Sequence, residues 1–316
     1  MRLSRIRLGI SSCLLGQKVR FDGNHKLDSY LTETLGQYFE WIPVCPEVAI
    51  GLGVPRPPIR LVGSPEAPRA IGVKDNSLDV TDKLAAYGRQ QARRLDDLSG
   101  YVFKSKSPSC GIERVKIYQR SGIPAKKGRG IYAAAFLAGQ PWLPVEEEGR
   151  LSNPRWRENF IERVFAYRRW QDLVARGLTA SRLVDFHTRH KLALMAHDVE
   201  SSSALGRFVA QAGRRPSKEL GHDYIDRFMA AMRRPATPAR HANVLMHLMG
   251  YLKKELDALD KAELLELIHA YRRGVLPLAS PLTLLKHHFR HYPDPYIARQ
   301  TYLHPDPREW QLCTGG

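Results

Sequence analysis

The sequence has no long hydrophobic run, few cysteines and no excess of acidic residues, and each feature excludes a class of protein. No run of about 18 apolar residues occurs, so we expect no transmembrane helix. Four cysteines without a CxxC pair are too few for a disulfide-stapled secreted domain. The basic first residues have only a short apolar stretch and no small-residue cleavage site, and we interpret them as a strand rather than a signal peptide. The expected compartment is the reducing cytoplasm.

Positive charge dominates the composition. Lys and Arg total 49 against 32 Asp and Glu, a formal charge of +17, and the excess is present in both halves of the chain. The simple interpretation is a soluble protein that is merely basic. The sharper one is a polyanionic partner, most commonly nucleic acid. No helix pairs a basic face with a strongly apolar one, so no membrane partner is expected.

The pattern of apolar residues changes between the two halves. The first half alternates strand and helix signals, whereas the second has apolar residues at helical spacing with almost no strand signal. The expected strands are 6–11, 41–48 and 100–105, the expected helices are 27–39, 81–98 and 130–139, and 51–72 is a long loop. We predict an α/β domain over 1–148, with a mostly parallel sheet covered by helices, and an all-α domain over 149–316.

A helix rich in arginine and aromatic residues is predicted just after this boundary, from Pro154. Most of its aromatic residues are expected to pack in the core, although aromatic side chains can also stack on bases while arginines reach phosphates. The candidate nucleic-acid contacts here and further along the chain are Arg155, Arg157, Arg168, Arg169, Arg214 and Arg215.

Eleven of the twelve histidines lie beyond residue 186. His190 and His197 share a face of one predicted helix, which makes a second metal site conceivable. The more ordinary interpretation is that histidine is a common residue in basic helices that face nucleic acid.

Three cysteines follow the three predicted strands. Cys13 comes just after the first strand, Cys45 lies at the end of the second, and Cys110 lies a few residues past the third. Sites in open parallel sheets form beyond the carboxyl ends of the strands, so these thiols can converge. Their Gly, Pro and Ser neighbours suit loops better than a packed core.

Three thiolates leave several chemistries open. Structural zinc prefers four ligands, and Cys313 is a poor fourth because it lies three residues from the last residue. A 4Fe–4S cluster on three cysteines instead keeps one iron without a protein ligand. A catalytic thiol is the third possibility, although only His25 lies in the first half.

The motifs SSCLLGQKVRFDG, PVCPEVAIGLGVPRPP and KSKSPSCG together resemble the thiouracil desulfidases. The similarity covers about residues 5–145, and three motifs in the right order make it specific. The segment LVDFHTRHKLALMAHDVESSSALGRFVA resembles the YbgA-like helical domain that often follows this one. The two-domain arrangement looks like the tRNA 4-thiouridine desulfidases.

The resemblance implies a 4Fe–4S cofactor held by Cys13, Cys45 and Cys110. It implies a non-redox reaction in which the substrate sulfur binds the unique iron, water attacks C4 and sulfide leaves. Such chemistry needs a general acid or base. Glu47 and Asp22 are the candidates, with ordinary surface carboxylates as the alternative. Ser107 and Ser109 are expected to hydrogen-bond this group or the cluster unless they are turn serines, and Lys104 is a further candidate unless it is a solvated charge.

We therefore expect an enzyme that converts 4-thiouridine in tRNA to uridine, with no obligate protein partner. The first alternative is a desulfidase of free thiouracil or thiouridine, for which a second basic domain is unnecessary. The second alternative is a non-catalytic iron–sulfur or zinc protein that binds RNA.

Overall fold

The computed structural model describes residues 5–119, 124–214 and 217–314. The chain divides into two compact units, Met1–Pro154 and Arg155–Gly316. No helix in the described ranges is long and apolar enough to cross a membrane.

The described residues of the first unit form eight strands in two sheets. In chain order they are β1 Ile6–Ser11, β2 Phe39–Val44, β3 Ile59–Gly63, β4 Pro68–Gly72, β5 Gly100–Phe103, β6 Val115–Tyr118, β7 Pro124–Gly128 and β8 Val145–Glu147. The four strands β2-β1-β5-β8 form one sheet in that order, and all their pairings are parallel. The α/β prediction with a parallel sheet is confirmed. Leu8 and Ile10 of β1 are fully buried, as expected for a central strand.

The second sheet corrects the expectation of a loop over 51–72. The strands β4-β3-β6-β7 are neighbours in that order, with β3 antiparallel to β4, parallel to β6, and β6 antiparallel to β7. The strands are short, and Pro68 opens β4 at the sheet edge, a position where its missing N–H is tolerated. The many glycines and prolines in this segment are typical of loops, and they led to the prediction of a loop where β3 and β4 form.

The predicted helix over 27–39 is also wrong. Only a π turn at Tyr30–Thr34 and a 3-10 turn at Leu35–Gln37 form before β2 begins. Two threonines and Gly36 weaken helix propensity here. The indole N–H of Trp41 donates to the Leu31 carbonyl at 3.1 Å and fastens the segment to the following strand.

Four helices complete the first unit: α1 Pro46–Ala49, α2 Thr81–Arg94, α3 Ile131–Gly139 and α4 Glu148–Leu151. Helices α2 and α3 pack closely because Gly88 has no Cβ, which would lie 2.7 Å from the Tyr132 carbonyl oxygen. Phe136 of α3 packs edge-on against Tyr101 of β5. This contact places the N-terminus of α3 beside the loop that follows β5.

The second unit is helical, as predicted. Its helices are α5 Pro154–Ala175, α6 Ala180–His197, α7 Val199–Val209, α8 Ser217–Met232, α9 Pro238–Tyr251, α10 Ala258–Arg272, α11 Ala279–His291 and α12 Pro307–Thr314. Side chains of Thr179, Asp198, Thr237 and Asp257 cap α6, α7, α9 and α10 by accepting from first-turn amides. The aromatic residues Phe160, Phe165 and Trp170 of α5 are buried in the core.

Candidate active site at the carboxyl ends of the parallel strands

Three thiols meet where neighbouring parallel strands end. Cys13 lies in the single 3-10 turn that follows β1, and Cys45 is the residue between β2 and α1. Cys110 lies in the loop between β5 and β6. All three cysteines line one cavity of about 480 Å³. The expected convergence is therefore observed, since β2, β1 and β5 are adjacent and parallel.

The loop that carries Cys110 is held by hydrogen bonds within the loop and by a hydrogen bond from α3. The hydroxyl oxygen of Ser107 accepts from the amides of Ser109 and Cys110, at 3.2 and 3.1 Å. The N-terminus of α3 supports the loop from behind, because the amide of Ala133 donates to the Ser109 carbonyl at 3.0 Å. A Cβ at Gly130 would lie 2.4 Å from that carbonyl, so only glycine permits this approach.

Glu47 is fixed in the cavity by two side chains from distant segments. Arg56 donates from Nε to Oε2 at 2.9 Å and from Nη2 to the same oxygen at 2.8 Å. Ser109 donates to Oε1 at 2.8 Å. The side chain of Arg56 is only 3% exposed and that of Glu47 14%, so the ion pair is shielded from water. Both carboxylate oxygens are engaged, which gives this group one orientation.

Lys104 is held on the cavity wall by a carboxylate from the acidic run at residues 146–148. Its ammonium group pairs with Glu148 of α4, and Glu148 also accepts from the amide and hydroxyl of Ser105, at 2.7 and 2.6 Å. The Lys104 amide donates to the hydroxyl of Ser11 at 2.9 Å. Sequence reasoning missed Glu148, because the acidic run was interpreted only as the boundary between the two domains.

Asp22 is not among the residues that line the cavity. Its carboxylate accepts from the Asn24 amide at 3.1 Å and lies 3.3 Å from Nε of Arg20. Arg20 does line the cavity, as do Lys26 and Lys106. Of the two carboxylates proposed from sequence, the structure thus brings only Glu47 into the cavity, and it adds Arg20 and Lys26, which the sequence did not single out.

The thiols are electrostatically coupled to one another. Burial raises the pKa of the Cys13 thiol to about 11, and charge on Cys45 adds to the rise. Burial also raises the pKa of Cys45. The pKa of Cys110 is raised well above its usual value by burial, by Glu47 and by Cys45. Thiolates at these positions need nearby positive charge, so the donor set fits a thiophilic metal group.

In the described ranges, no three His, Cys, Asp or Glu side chains are arranged around a single metal ion, which is a different arrangement from thiols placed around a multi-iron cluster. The predicted residues His190 and His197 nevertheless lie together, on the wall of a second cavity within the helical unit.

The arginines predicted to contact nucleic acid have different surroundings. Arg155 donates to the Pro235 carbonyl at 3.4 Å, Arg157 is half-buried, and Arg168 pairs with Asp172 at 2.9 Å. Arg169 differs from the expectation, because its guanidinium pairs with Glu309 on the wall of the second cavity. The side chain of Arg214 and all of Arg215 lie outside the described residues.

Two family models match the chain. Residues 8–148 match 2-thiouracil desulfurase, and residues 191–307 match a family described as protein of unknown function (DUF1722). YbgA of Escherichia coli (strain K12) is 36% identical over 163 residues, which cover 51% of this chain and 96% of YbgA. YbbK of Bacillus subtilis (strain 168) is 27% identical over 155 residues, which cover 46% of this chain and 97% of YbbK.

A search of solved structures finds the 4Fe–4S-dependent thiouracil desulfidase TudS. The sequence identity is 32%, and the match covers 47% of this chain and 94% of that chain, with a TM-score of 0.37.

Proposed function

We propose that this chain removes sulfur from a thiolated uracil. Its residues 8–148 belong to the 2-thiouracil desulfurase family, and a YbgA-related DUF1722 domain follows them. One observation carries the proposal. Three thiols line the same cavity as a carboxylate that Arg56 and Ser109 hold in place.

Cys13, Cys45 and Cys110 hold a 4Fe–4S cluster in this proposal. When bound, the cluster supplies an iron without a protein ligand, which is a soft Lewis acid suited to a thiocarbonyl sulfur. The thiols fit the role because they line one cavity, with Cys13 and Cys110 buried and Cys45 half-buried, and because metal binding removes their protons.

Glu47 is the proton-transfer group. Its carboxylate faces the cavity in one orientation, so it can take a proton from an attacking water and pass it to the departing sulfur, while the pyrimidine ring nitrogen keeps its own proton. Arg56 and Ser109 position Glu47 and do not themselves need contact with the substrate. Lys104, Arg20 and Lys26 line the same cavity and stabilise negative charge on departing sulfide or on a substrate phosphate.

The substrate we propose is 4-thiouridine in tRNA. The net charge of +17, the cations at the cavity and the arginine-rich α5 all favour a polyanion. A thiolated base within folded RNA must leave its stack to reach a cavity, at a cost of a few kcal/mol, and phosphate contacts can offset this. Free thiouracil is the alternative substrate, and the description of the matching family favours it.

The test begins with anaerobic reconstitution of the full chain with iron and sulfide. Mössbauer spectroscopy and metal analysis should give one 4Fe–4S cluster per chain. Cys110→Ala should lose the cluster, while the matched control Cys313→Ala should keep it. Stoichiometric zinc in the protein as isolated without oxygen would contradict the cluster proposal.

The holoprotein is then given 4-thiouridine-containing tRNA, 4-thiouridine and thiouracil in parallel. We expect loss of the near-ultraviolet thiocarbonyl absorbance and an equal yield of sulfide, fastest with tRNA. Turnover of the free base but not of tRNA would reverse the order of the two substrates. Tight tRNA binding without sulfide release from any substrate would favour a non-catalytic RNA-binding protein.

A further inference from the structure

The helical unit encloses a cavity that desulfidation does not use. Its volume is about 360 Å³, within the size range of sites for small organic molecules, and its lining comes from residues 158–313. Polar and titratable side chains are concentrated in this wall, among them Glu158, Glu162, Arg169 and His190.

His190 presents an unsatisfied hydrogen-bond acceptor there. The side chain is almost completely buried, with the residue 1% exposed. Its Nδ1 lies 2.7 Å from the Phe186 carbonyl oxygen, which can only accept, so Nδ1 carries the proton and Nε2 has a free lone pair. Within the described part of the chain, Nε2 has no hydrogen-bond partner. A buried acceptor of this kind calls for a donor from a bound molecule.

Most of the charges in the cavity wall are already paired. Arg169 forms an ion pair with Glu309. His197 faces two acceptors, the Arg234 carbonyl at 2.7 Å from Nδ1 and Glu162 at 3.1 Å from Nε2, an arrangement that the imidazolium form satisfies. These pairs leave no unmatched cation for an anionic ligand.

Glu158 is the remaining charged group. The residue is half-buried, and its carboxyl oxygens are not among the buried polar atoms without a partner. Burial and the neighbouring Glu162 raise its pKa to about 7, while Arg157 acts in the opposite direction. A cation placed beside Glu158 would favour its ionised form, and an N–H of the same cation would supply the donor that Nε2 of His190 lacks.

The rest of the wall suits an organic cation rather than a metal ion. Tyr271 and Tyr302 contribute aromatic rings and Leu282 an aliphatic side chain, whereas the ring of Trp310 already faces the Lys286 ammonium at 3.7 Å. Aromatic faces attract ammonium groups. The described residues include no set of three His, Cys, Asp or Glu side chains that could hold a metal ion.

We propose that this cavity binds a small organic amine as its ammonium cation, with Glu158 matching the charge and Nε2 of His190 accepting an N–H. The site is independent of the cluster and of desulfidation, because all its residues belong to the helical unit. It gives the helical unit a ligand of its own besides RNA.

The experiment is isothermal titration calorimetry on the full chain with three probes of increasing length, tyramine, tryptamine and agmatine. Tryptophol serves as the uncharged counterpart of tryptamine. At least one amine should bind saturably, and tryptophol should bind at least about tenfold more weakly than tryptamine if tryptamine is that ligand. Equal binding of the alcohol and the amine, or no saturable binding of any amine up to about 10 mM, would overturn the proposal.

Glu158→Gln is the matched variant, since it keeps the shape and removes the charge. It should weaken binding of the amine by about tenfold or more. Glu263→Gln, which changes an exposed carboxylate on α10, should bind as the unmodified chain does. Unchanged affinity of Glu158→Gln, with its circular dichroism spectrum also unchanged, would refute the assigned role. If that variant does not fold, the comparison of tryptamine with tryptophol on the unmodified chain decides.

Discussion

The hydroxyl of Ser109 lies 2.8 Å from Oε1 of Glu47 and donates to it, which links the loop between β5 and β6 to the first turn of α1. This bond makes a distinction between the two serines beside Cys110 testable. Ser109→Ala should lower kcat for thiouracil by about tenfold to a hundredfold while leaving cluster content intact, because only the orientation of Glu47 changes.

Ser107→Ala is the counterpart to that variant. Its hydroxyl oxygen accepts from two loop amides, including that of Cys110, and touches no part of Glu47 in the hydrogen-bond network. Loss of this acceptor should reduce cluster retention during gel filtration more than it reduces kcat per cluster. Equal effects of the two substitutions on both quantities would remove the distinction.

The convergence of the cysteines could be predicted from sequence because it depends on topology. Each cysteine follows a strand, and parallel strands end at one edge of their sheet. Glu47, two residues after Cys45, was proposed from sequence and lines the cavity, while Ser109, next to Cys110, is fully buried and reaches the cavity only through Glu47. Their mutual hydrogen bond joins residues that no local pattern relates.

The remaining parts of the site depend on long-range contacts. Arg56 lies in the segment expected to be a loop, and its amide donates to the Phe21 carbonyl of a distant segment at 2.9 Å. Glu148 reaches Lys104 from the acidic run at the domain boundary. The second sheet escaped prediction for a similar reason, because its strands gain stability from pairing with each other rather than from a strong local pattern.

The buried pair of Arg56 and Glu47 should contribute strongly to the stability of the first unit. Arg56→Gln leaves the carboxylate shielded and without its cation, which typically costs about 3–5 kcal/mol. We expect a matching fall in the free energy of unfolding of the cluster-free protein in urea.

The double variant Arg56→Gln/Glu47→Gln should recover part of this loss, because it no longer buries an uncompensated charge. Arg89→Gln on the exposed face of α2 is the control and should change the free energy of unfolding by less than about 0.5 kcal/mol. A small effect for Arg56→Gln alone would mean that water reaches the carboxylate.

Arg168 and Arg169 are adjacent in α5 but should respond differently to substitution. Arg168 is partly exposed and pairs with Asp172 on the helix surface, so it can exchange that partner for a phosphate. Arg168→Gln should weaken tRNA binding and lower the salt slope by about one. Arg169→Gln should instead lower the melting temperature, because Glu309 is buried and would lose its cation.

Salt titrations of tRNA binding and thermal melts of both variants provide the measurement. A reduced salt slope for Arg169→Gln with an unchanged melting temperature would return that residue to the set of phosphate contacts. No change in the slope for Arg168→Gln would remove Arg168 from it.

Three buried histidines should make the helical unit sensitive to acid. Burial lowers the pKa of His187 to about 4, that of His190 to about 3 and that of His241 to about 4. The ordinary pKa of a histidine is 6.5, so below this pH the unfolded chain binds protons at these residues that the folded unit does not bind. Their contribution to stability is complete above pH 6.5 and is lost as the pH falls toward about 4.

Glu158 acts in the opposite direction over an overlapping range. Its pKa is raised from 4.5 to about 7, so its contribution is complete below pH 4.5 and is lost as the pH rises through about 7. Three histidines outweigh this one carboxyl, and the net expectation is a melting temperature that falls as the pH is lowered from 6.5 to 4.

Glu158→Gln removes the opposing contribution and should steepen this fall in the melting temperature. Helical circular dichroism during thermal melts at a series of pH values measures both slopes, with Glu263→Gln as the charge-matched control. A melting temperature that rises toward pH 4, or a slope that Glu158→Gln leaves unchanged, would show that these groups titrate alike in the folded and unfolded chain.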